Sequence, residues 1–235
     1  TKEKYDGVIH VAAISGVMAS HLHPDRSWAV NVLGTRRIAQ IAKEQELPLV
    51  FVSSDVIFDG VDVPEGGYGV NSLPKPLNAY AKTKVEAESV VRSLVPQCAI
   101  VRPSLLYRRA GEGILSAGVE WVIRKVKNKE DVTIYSDQIR HPTYVRAMAE
   151  LLALLVEKRG QGVFHAGSPI PYRRDEFTKL LLKNFGLSPS SIKTGTVAQS
   201  PPEEGLRVPL NLTLNTKEVT DFLGHPFARP EVVLA

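Results

Sequence analysis

The chain has 235 residues, with 43% hydrophobic and 23% charged residues and a formal net charge of +4. That is enough for one sizeable domain, or a domain with a lobe, of ordinary globular composition. No apolar run approaches the ~18 residues of a membrane span, and no dense Lys/Arg block suggests nucleic acid.

The first element is the apolar run Asp6-Gly7-Val8-Ile9-His10-Val11-Ala12-Ala13, which reads as a buried parallel strand followed by a loop. Pro24-Asp25-Arg26-Ser27-Trp28 starts a helix, and Ala29, Val32, Leu33, Ile38 and Ala42 continue it at helical spacing. Pro48 to Ser54 is a second buried strand, and the Gly- and Pro-rich stretch from Asp55 to Asn78 is a loop. Tyr80 to Leu94, free of Pro and Gly, reads as a helix, and Ala99 to Arg102 as a third strand. This alternation predicts an α/β fold on a parallel sheet.

After Tyr107 the pattern predicts a helix over Leu115 to Lys127, a strand over Val132 to Tyr135 and an apolar helix over Val145 to Lys158. A strand over Gly162 to Ala166 and a helix from Arg174 to Phe185, stopped by Gly186, follow. Ser188 to Glu204 reads as a loop, and Lys217 to Leu223, closed by Gly224, as a last helix. A doubly wound cofactor domain begins with strand, Gly-rich turn and helix. No such turn opens this chain, so residues 1–107 read as the C-terminal part of a dinucleotide-binding domain whose N-terminal part is missing. Residues 108–235 read as a small C-terminal substrate lobe, with some segments returning to the first domain.

The single Cys98 sits in an apolar strand, which points to a reducing, cytoplasmic setting. His10, His21 and His23 are loosely spaced with no acidic or Cys partner, so no metal site is expected. Gly111-Glu112-Gly113 could imitate a dinucleotide turn, but Ser116 stands where the third Gly belongs; a substrate-side loop fits better. Trp28 and Trp121 read as packing residues.

Of seven tyrosines, Tyr80 alone has a lysine four residues later, Lys84, on the same helix face. A phenol titrates near ~10, and a neighbouring ammonium favours the phenolate. Such a tyrosine can exchange a proton with a carbonyl oxygen while hydride moves to carbon. Ser53 and Ser54 end the preceding strand, the edge where α/β sheets bind ligands.

Val52-Ser53-Ser54-Asp55-Val56-Ile57-Phe58-Asp59-Gly60, followed by Pro76-Leu77-Asn78-Ala79-Tyr80-Ala81-Lys82-Thr83-Lys84, resembles the extended short-chain dehydrogenases/reductases, and among them the dTDP-4-dehydrorhamnose reductases. His10 to Ala13, Asp137 to Val145, and Arg207 to Leu214 are similar to further segments of that family. The resemblance implies a Rossmann-like fold, NADP(H) or NAD(H) as cofactor, a nucleotide-sugar substrate and reduction of its 4-keto group. It implies Tyr80 as acid/base, Lys84 as its tuner and ribose ligand, and Ser54 as partner of the substrate carbonyl. Ala12, Ala13, Asn31, Ser53, Arg102, Pro103 and Ser104 would approach the cofactor. Ser54, Asp55, Val56, Leu105, Arg140, His141 and Arg207 would approach the substrate, with His141 able instead to fix a turn.

Val56, Leu105 and Arg108 depart from the reductase pattern, which usually has an aromatic residue, Trp and Gly there. Leu105 and Arg140 to Thr143 also resemble the regulatory beta subunit of methionine adenosyltransferase, a non-catalytic relative that acts on a partner enzyme. A homodimer is the other assembly expected by analogy.

Overall fold

The structure, a computed structural model, describes residues 4–112, 117–199 and 204–235. Strand β1 (Val8–His10) leads to helices α1 (Val17–Leu22) and α2 (Pro24–Trp28), a π-helical turn (Ala29–Gly34) and α3 (Thr35–Glu44). Strand β2 (Leu49–Val52), a 3-10 turn (Asp55–Ile57), α4 (Ala79–Leu94), β3 (Ala99–Pro103) and β4 (Leu106–Tyr107) follow. Next come α5 (Ala117–Lys127), β5 (Thr133–Tyr135), β6 (Ile139–Arg140), β7 (Thr143–Tyr144), α6 (Val145–Glu157) and β8 (Gly162–Ala166). The chain closes with β9 (Tyr172–Arg173), α7 (Arg174–Asn184), β10 (Lys193–Gly195), α8 (Lys217–Leu223) and α9 (Pro230–Val233).

β1, β2, β3 and β8 form one sheet in that order, every pair parallel. Side chains alternate across a strand, and β2 shows why its run is apolar throughout. Leu49 and Phe51 pack with Ala39, Ala42, Ala87 and Val91 of α3 and α4 on one face. Val50 packs with Leu151 and Leu155 of α6 on the other. A second core, from Tyr107 through Val122, Ile134, Phe177 and Leu181 to Val233, joins β4, α5, β5, α7 and α9. No helix among the described residues is long and apolar enough to cross a membrane.

The expected elements are found within a few residues. The expected helix start at Leu115, and Gly113 to Ser116 of the rejected dinucleotide turn, lie outside the described residues. The segment from Ser188 to Glu204 is not all loop: β10 lies there and pairs parallel with β5. Its Lys193-Thr194-Gly195 carries no apolar periodicity, and the partner strand supplies the order. Helix α1 also lacks a sequence signal, because Gly16 at its N-cap makes no side-chain cap.

Two buried contacts lock the layers. Gly60 has φ +72°, and a Cβ there would lie 2.9 Å from the backbone nitrogens of Leu210 and Asn211. Only glycine lets the loop after β2 lie this close to the C-terminal segment. Beneath the sheet edge, Arg102 of β3 forks onto both carboxylate oxygens of Glu88 on α4, at 2.9 and 2.7 Å. Its Nη1 also donates to Val70 O (3.1 Å) and to His165 Nε2 (3.3 Å). His165 Nε2 is therefore the acceptor nitrogen, and Nδ1–H donates to Asn215 O at 3.2 Å.

Burial, then the charge of Arg102, lowers His165 from its ordinary 6.5 to about 4. The folded state keeps this ring neutral while the unfolded chain protonates it. Stability from His165 is thus complete above pH ~6.5 and is lost as pH falls from there towards 4. The full window amounts to about 3 kcal/mol. Denaturant unfolding at pH 7 and pH 4.5 should show this loss, and His165→Gln should remove much of it. An equal acid loss in the variant contradicts the assignment.

Candidate active site

The carboxyl end of β2 delivers Ser54 into the cap of a 3-10 turn, where its Oγ accepts from Val56 N. The same hydroxyl donates to Asp55 Oδ1 at 3.3 Å. Asp55 Oδ2 accepts from Ser104 Oγ at 2.6 Å, and Ser104 Oγ accepts from His141 N at 3.2 Å. Burial pushes the Asp55 carboxyl above the usual carboxylate range, while the Arg140 charge and the two serines pull against it.

Tyr80 stands in the first turn of α4. Asn78 caps that helix by accepting from Ala81 N at 3.0 Å, and its amide donates to Arg207 O at 3.1 Å. The cap aims the start of α4 at the β2 end and ties it to the C-terminal segment. Burial pushes the Tyr80 phenol up to about 12; the Ser54 hydroxyl pulls it down and Asp55 pushes it further up. Ser54, Asp55 and Tyr80 therefore form one cluster.

Lys84 is buried one turn further along α4, donating to Val52 O at 2.6 Å with its ammonium 4.5 Å from the Phe51 ring centroid. Burial brings it down to about 8, and Glu88 opposes the shift. The expected lowering of Tyr80 by Lys84 is not met in the protein alone. Desolvation of the phenol dominates, and the ammonium is engaged at Val52 O.

The expected cofactor residues divide into two sets. Ala12 and Ala13 lie in the loop after β1, with small side chains that leave the backbone open to approach. Pro103 and Ser104 lie at the β3 end beside that cluster. Ser53 is buried beside Glu88. The Arg102 guanidinium is committed to Glu88, Val70 and His165 and so serves the core.

Asn31 is likewise turned to structural use. Its Oδ1 accepts from Ile14 N (2.8 Å), and its Nδ2 donates to Ile14 O (3.1 Å) and Thr83 Oγ1 (3.0 Å). It pins the loop after β1 to α4 beside Lys84. The π-helical turn places it there, and Thr35 Oγ1 caps Asn31 O at 2.6 Å while bonding His10 Nε2 at 2.9 Å. Asn31→Ala orphans the half-buried Ile14 amide. A loss of about 2 kcal/mol in urea unfolding, with weaker cofactor binding by the full-length protein, is expected.

On the substrate side, Arg140 is buried and donates to the carbonyls of Ile139, Leu210 and Pro209 at 2.7–2.8 Å. His141 Nδ1–H donates to Ser168 O at 2.7 Å, and its buried Nε2 has no hydrogen-bond partner among the described residues. Leu105 packs on the second core and Val56 on the Ile57–Phe58 cluster. The Arg207 side chain is exposed, and its carbonyl meets Asn78.

Sequence reasoning missed Glu88, whose only local signal is its place one turn after Lys84.

A family model described as RmlD substrate binding domain matches residues 1–229. The chain belongs to this family. An RmlD-family relative, the dTDP-4-dehydrorhamnose reductase of Aggregatibacter actinomycetemcomitans, is 30% identical over 151 residues, 64% of this chain and 49% of that protein. Methionine adenosyltransferase 2 subunit beta of Xenopus tropicalis is 30% identical over 192 residues, 79% of this chain and 56% of that protein. The NADP complex of dTDP-4-dehydrorhamnose reductase from Bacillus anthracis superposes with a TM-score of 0.81 at 24% identity, covering 96% of this chain and 77% of that one. The chain spans about half to two-thirds of the length of the curated relatives it matches.

Proposed function

We propose that the protein carrying this chain is an NAD(P)H-dependent reductase of a 4-keto nucleotide sugar. The observation that carries this reading is the clustering of Ser54 and Tyr80 at the carboxyl end of the parallel sheet, with Lys84 one turn away. Relatives named for dTDP-4-dehydrorhamnose and a similar fold solved with NADP support the substrate class and the cofactor.

The residues present fit such a cofactor. The Lys84 ammonium is buried and makes one hydrogen bond, to Val52 O, which leaves two N–H groups for ribose hydroxyls. When bound, the nicotinamide supplies a hydride to the carbonyl carbon. Tyr80, neutral over the physiological range, gives its proton to the carbonyl oxygen, and the product is an alcohol with the oxidised cofactor. Ser54 turns its hydroxyl from Asp55 to that oxygen and stabilises the developing charge. Asn31 holds the cofactor loop, and Asp55 with Ser104 fixes the Ser54 position. The free, buried Cys98 suits a reducing, cytoplasmic setting.

Oxidation of NADPH and NADH by the full-length protein, followed by nicotinamide absorbance with a panel of 4-keto-6-deoxy nucleotide sugars, tests the reading. Turnover with one of them supports it and names the cofactor.

A second reading is a cofactor-binding subunit that acts through a partner enzyme. Val56 and Leu105, both departures from the reductase pattern, favour it. Tight cofactor binding with no turnover on the whole panel, and capture of a methionine adenosyltransferase catalytic subunit, would establish it instead.

A further inference from the structure

Residues 207–215 cross the molecule as an extended strap. Ile139 N donates to Leu210 O (2.9 Å) and Leu212 N to Ile139 O (3.0 Å), so the strap runs parallel beside β6. From its other edge Asn211 N donates to Gly60 O (3.2 Å) and Asn215 N to Tyr68 O (2.9 Å), while Thr213 O accepts from Tyr68 N (2.8 Å). Leu212 and Leu214 are buried against Ile57, Phe58 and Tyr68. The strap is therefore fastened both to the loop after β2 and to β6, which carries Arg140.

The first residue of this strap meets the helix that carries Tyr80. Arg207 O accepts from Asn78 Nδ2 at 3.1 Å, while Asn78 Oδ1 accepts from Ala81 N at 3.0 Å. Asn78 is buried, and Tyr80 follows it by two residues. The N–H groups of a first helical turn lack intrahelical partners, so the cap sets where that turn sits. Ser, Asp and Asn cap about equally well, so capping alone does not call for Asn. What the amide adds is an N–H donor beyond the accepting oxygen, and here that donor is spent on the strap.

Tyr80 is held from two sides. Thr83 Oγ1 donates to Tyr80 O (2.7 Å) and accepts from Asn31 Nδ2 (3.0 Å), and Asn31 in turn holds the loop after β1. That fastening comes from the expected cofactor side. Asn78 makes the opposite one, from the C-terminal segment.

We propose that Asn78 is a positioning residue for Tyr80: its amide couples the strap to the cap of α4 and so sets the phenol against the sugar carbonyl. The inference rests on the reductase reading and extends it by assigning a residue that acts through Tyr80.

The test uses the full-length protein with Asn78→Ser, Tyr80→Phe and both changes together. A serine keeps the cap, but its hydroxyl is too short to reach Arg207 O as well. Asn78→Ser should lower kcat on a 4-keto-6-deoxy nucleotide sugar about 10- to 100-fold, the scale on which small misplacements of a reacting group act. NADPH affinity and melting temperature should stay close to the wild-type values. In the Tyr80→Phe background the same change should cost less than about 3-fold, because residues that act as a unit are not additive. Wild-type kcat in Asn78→Ser overturns the inference and leaves the reductase reading standing. A loss of equal size in both backgrounds, or one that follows a drop in melting temperature, gives Asn78 a role in the fold alone and overturns it as well. Wild-type protein that binds NADPH but turns over none of the sugars removes the reductase reading, and the inference falls with it.

Discussion

Tyr80→Phe is expected to lower turnover by about 10²- to 10⁴-fold, the usual contribution of a positioned general acid, while NADPH affinity changes little. The phenol ring fills the same space as Phe, so the fold stays intact and the loss falls on kcat. The protein alone holds the phenol at about 12, so Tyr80 remains protonated and able to donate across the physiological range. Lys84, held at about 8, loses its charge as pH rises through that value. The kcat/KM profile should therefore fall on the alkaline side of about pH 8, and Lys84→Met should lose activity and that limb together. A Tyr80→Phe protein with near wild-type turnover would remove Tyr80 from the chemistry.

Arg102→Met should cost about 3–5 kcal/mol of folding stability, the range for breaking a buried ion pair on one side. The change strips Glu88 of its closest partner while leaving the carboxylate buried. Burial alone raises Glu88; the Arg102 hydrogen bonds and charge more than reverse this and hold it below the usual range. Glu88 therefore adds stability above its ordinary pKa, which is lost as pH falls through the folded value. The variant should lose that contribution and become less stable at pH 7. Adding Glu88→Leu to Arg102→Met should restore much of the difference, because both charges are then gone. Urea unfolding of the wild type and the two variants checks this. A single-variant loss under ~1 kcal/mol would mean that water reaches the pair.

The fold was legible where local pattern decides it. β2 and β3 read as buried strands because helices cover both faces, and α4 reads as a helix because nothing in Tyr80 to Leu94 interrupts it. The cluster of Ser54 and Tyr80 was legible because both stand at element ends, where α/β folds gather ligands. The partners of the charged residues were not. Arg102 at a strand end looked free to meet a cofactor, yet its neighbours Glu88, Val70 and His165 come from three distant segments. Asn31 looked like a ligand contact, and only the π-helical turn shows that its amide pins Ile14 to Thr83. β10 and the two-residue strands β4, β6, β7 and β9 exist through their tertiary partners.

Hydride delivery itself can be followed with cofactor deuterated at the transferring position of nicotinamide C4. The full-length protein is incubated with this cofactor and a 4-keto-6-deoxy nucleotide sugar, and the product is weighed by mass spectrometry. A product three mass units heavier than the ketone, one for the proton and two for the transferred deuterium, formed about 10²- to 10⁴-fold more slowly with Tyr80→Phe, is the expected result. Bound cofactor with no label in any sugar would contradict the reductase reading.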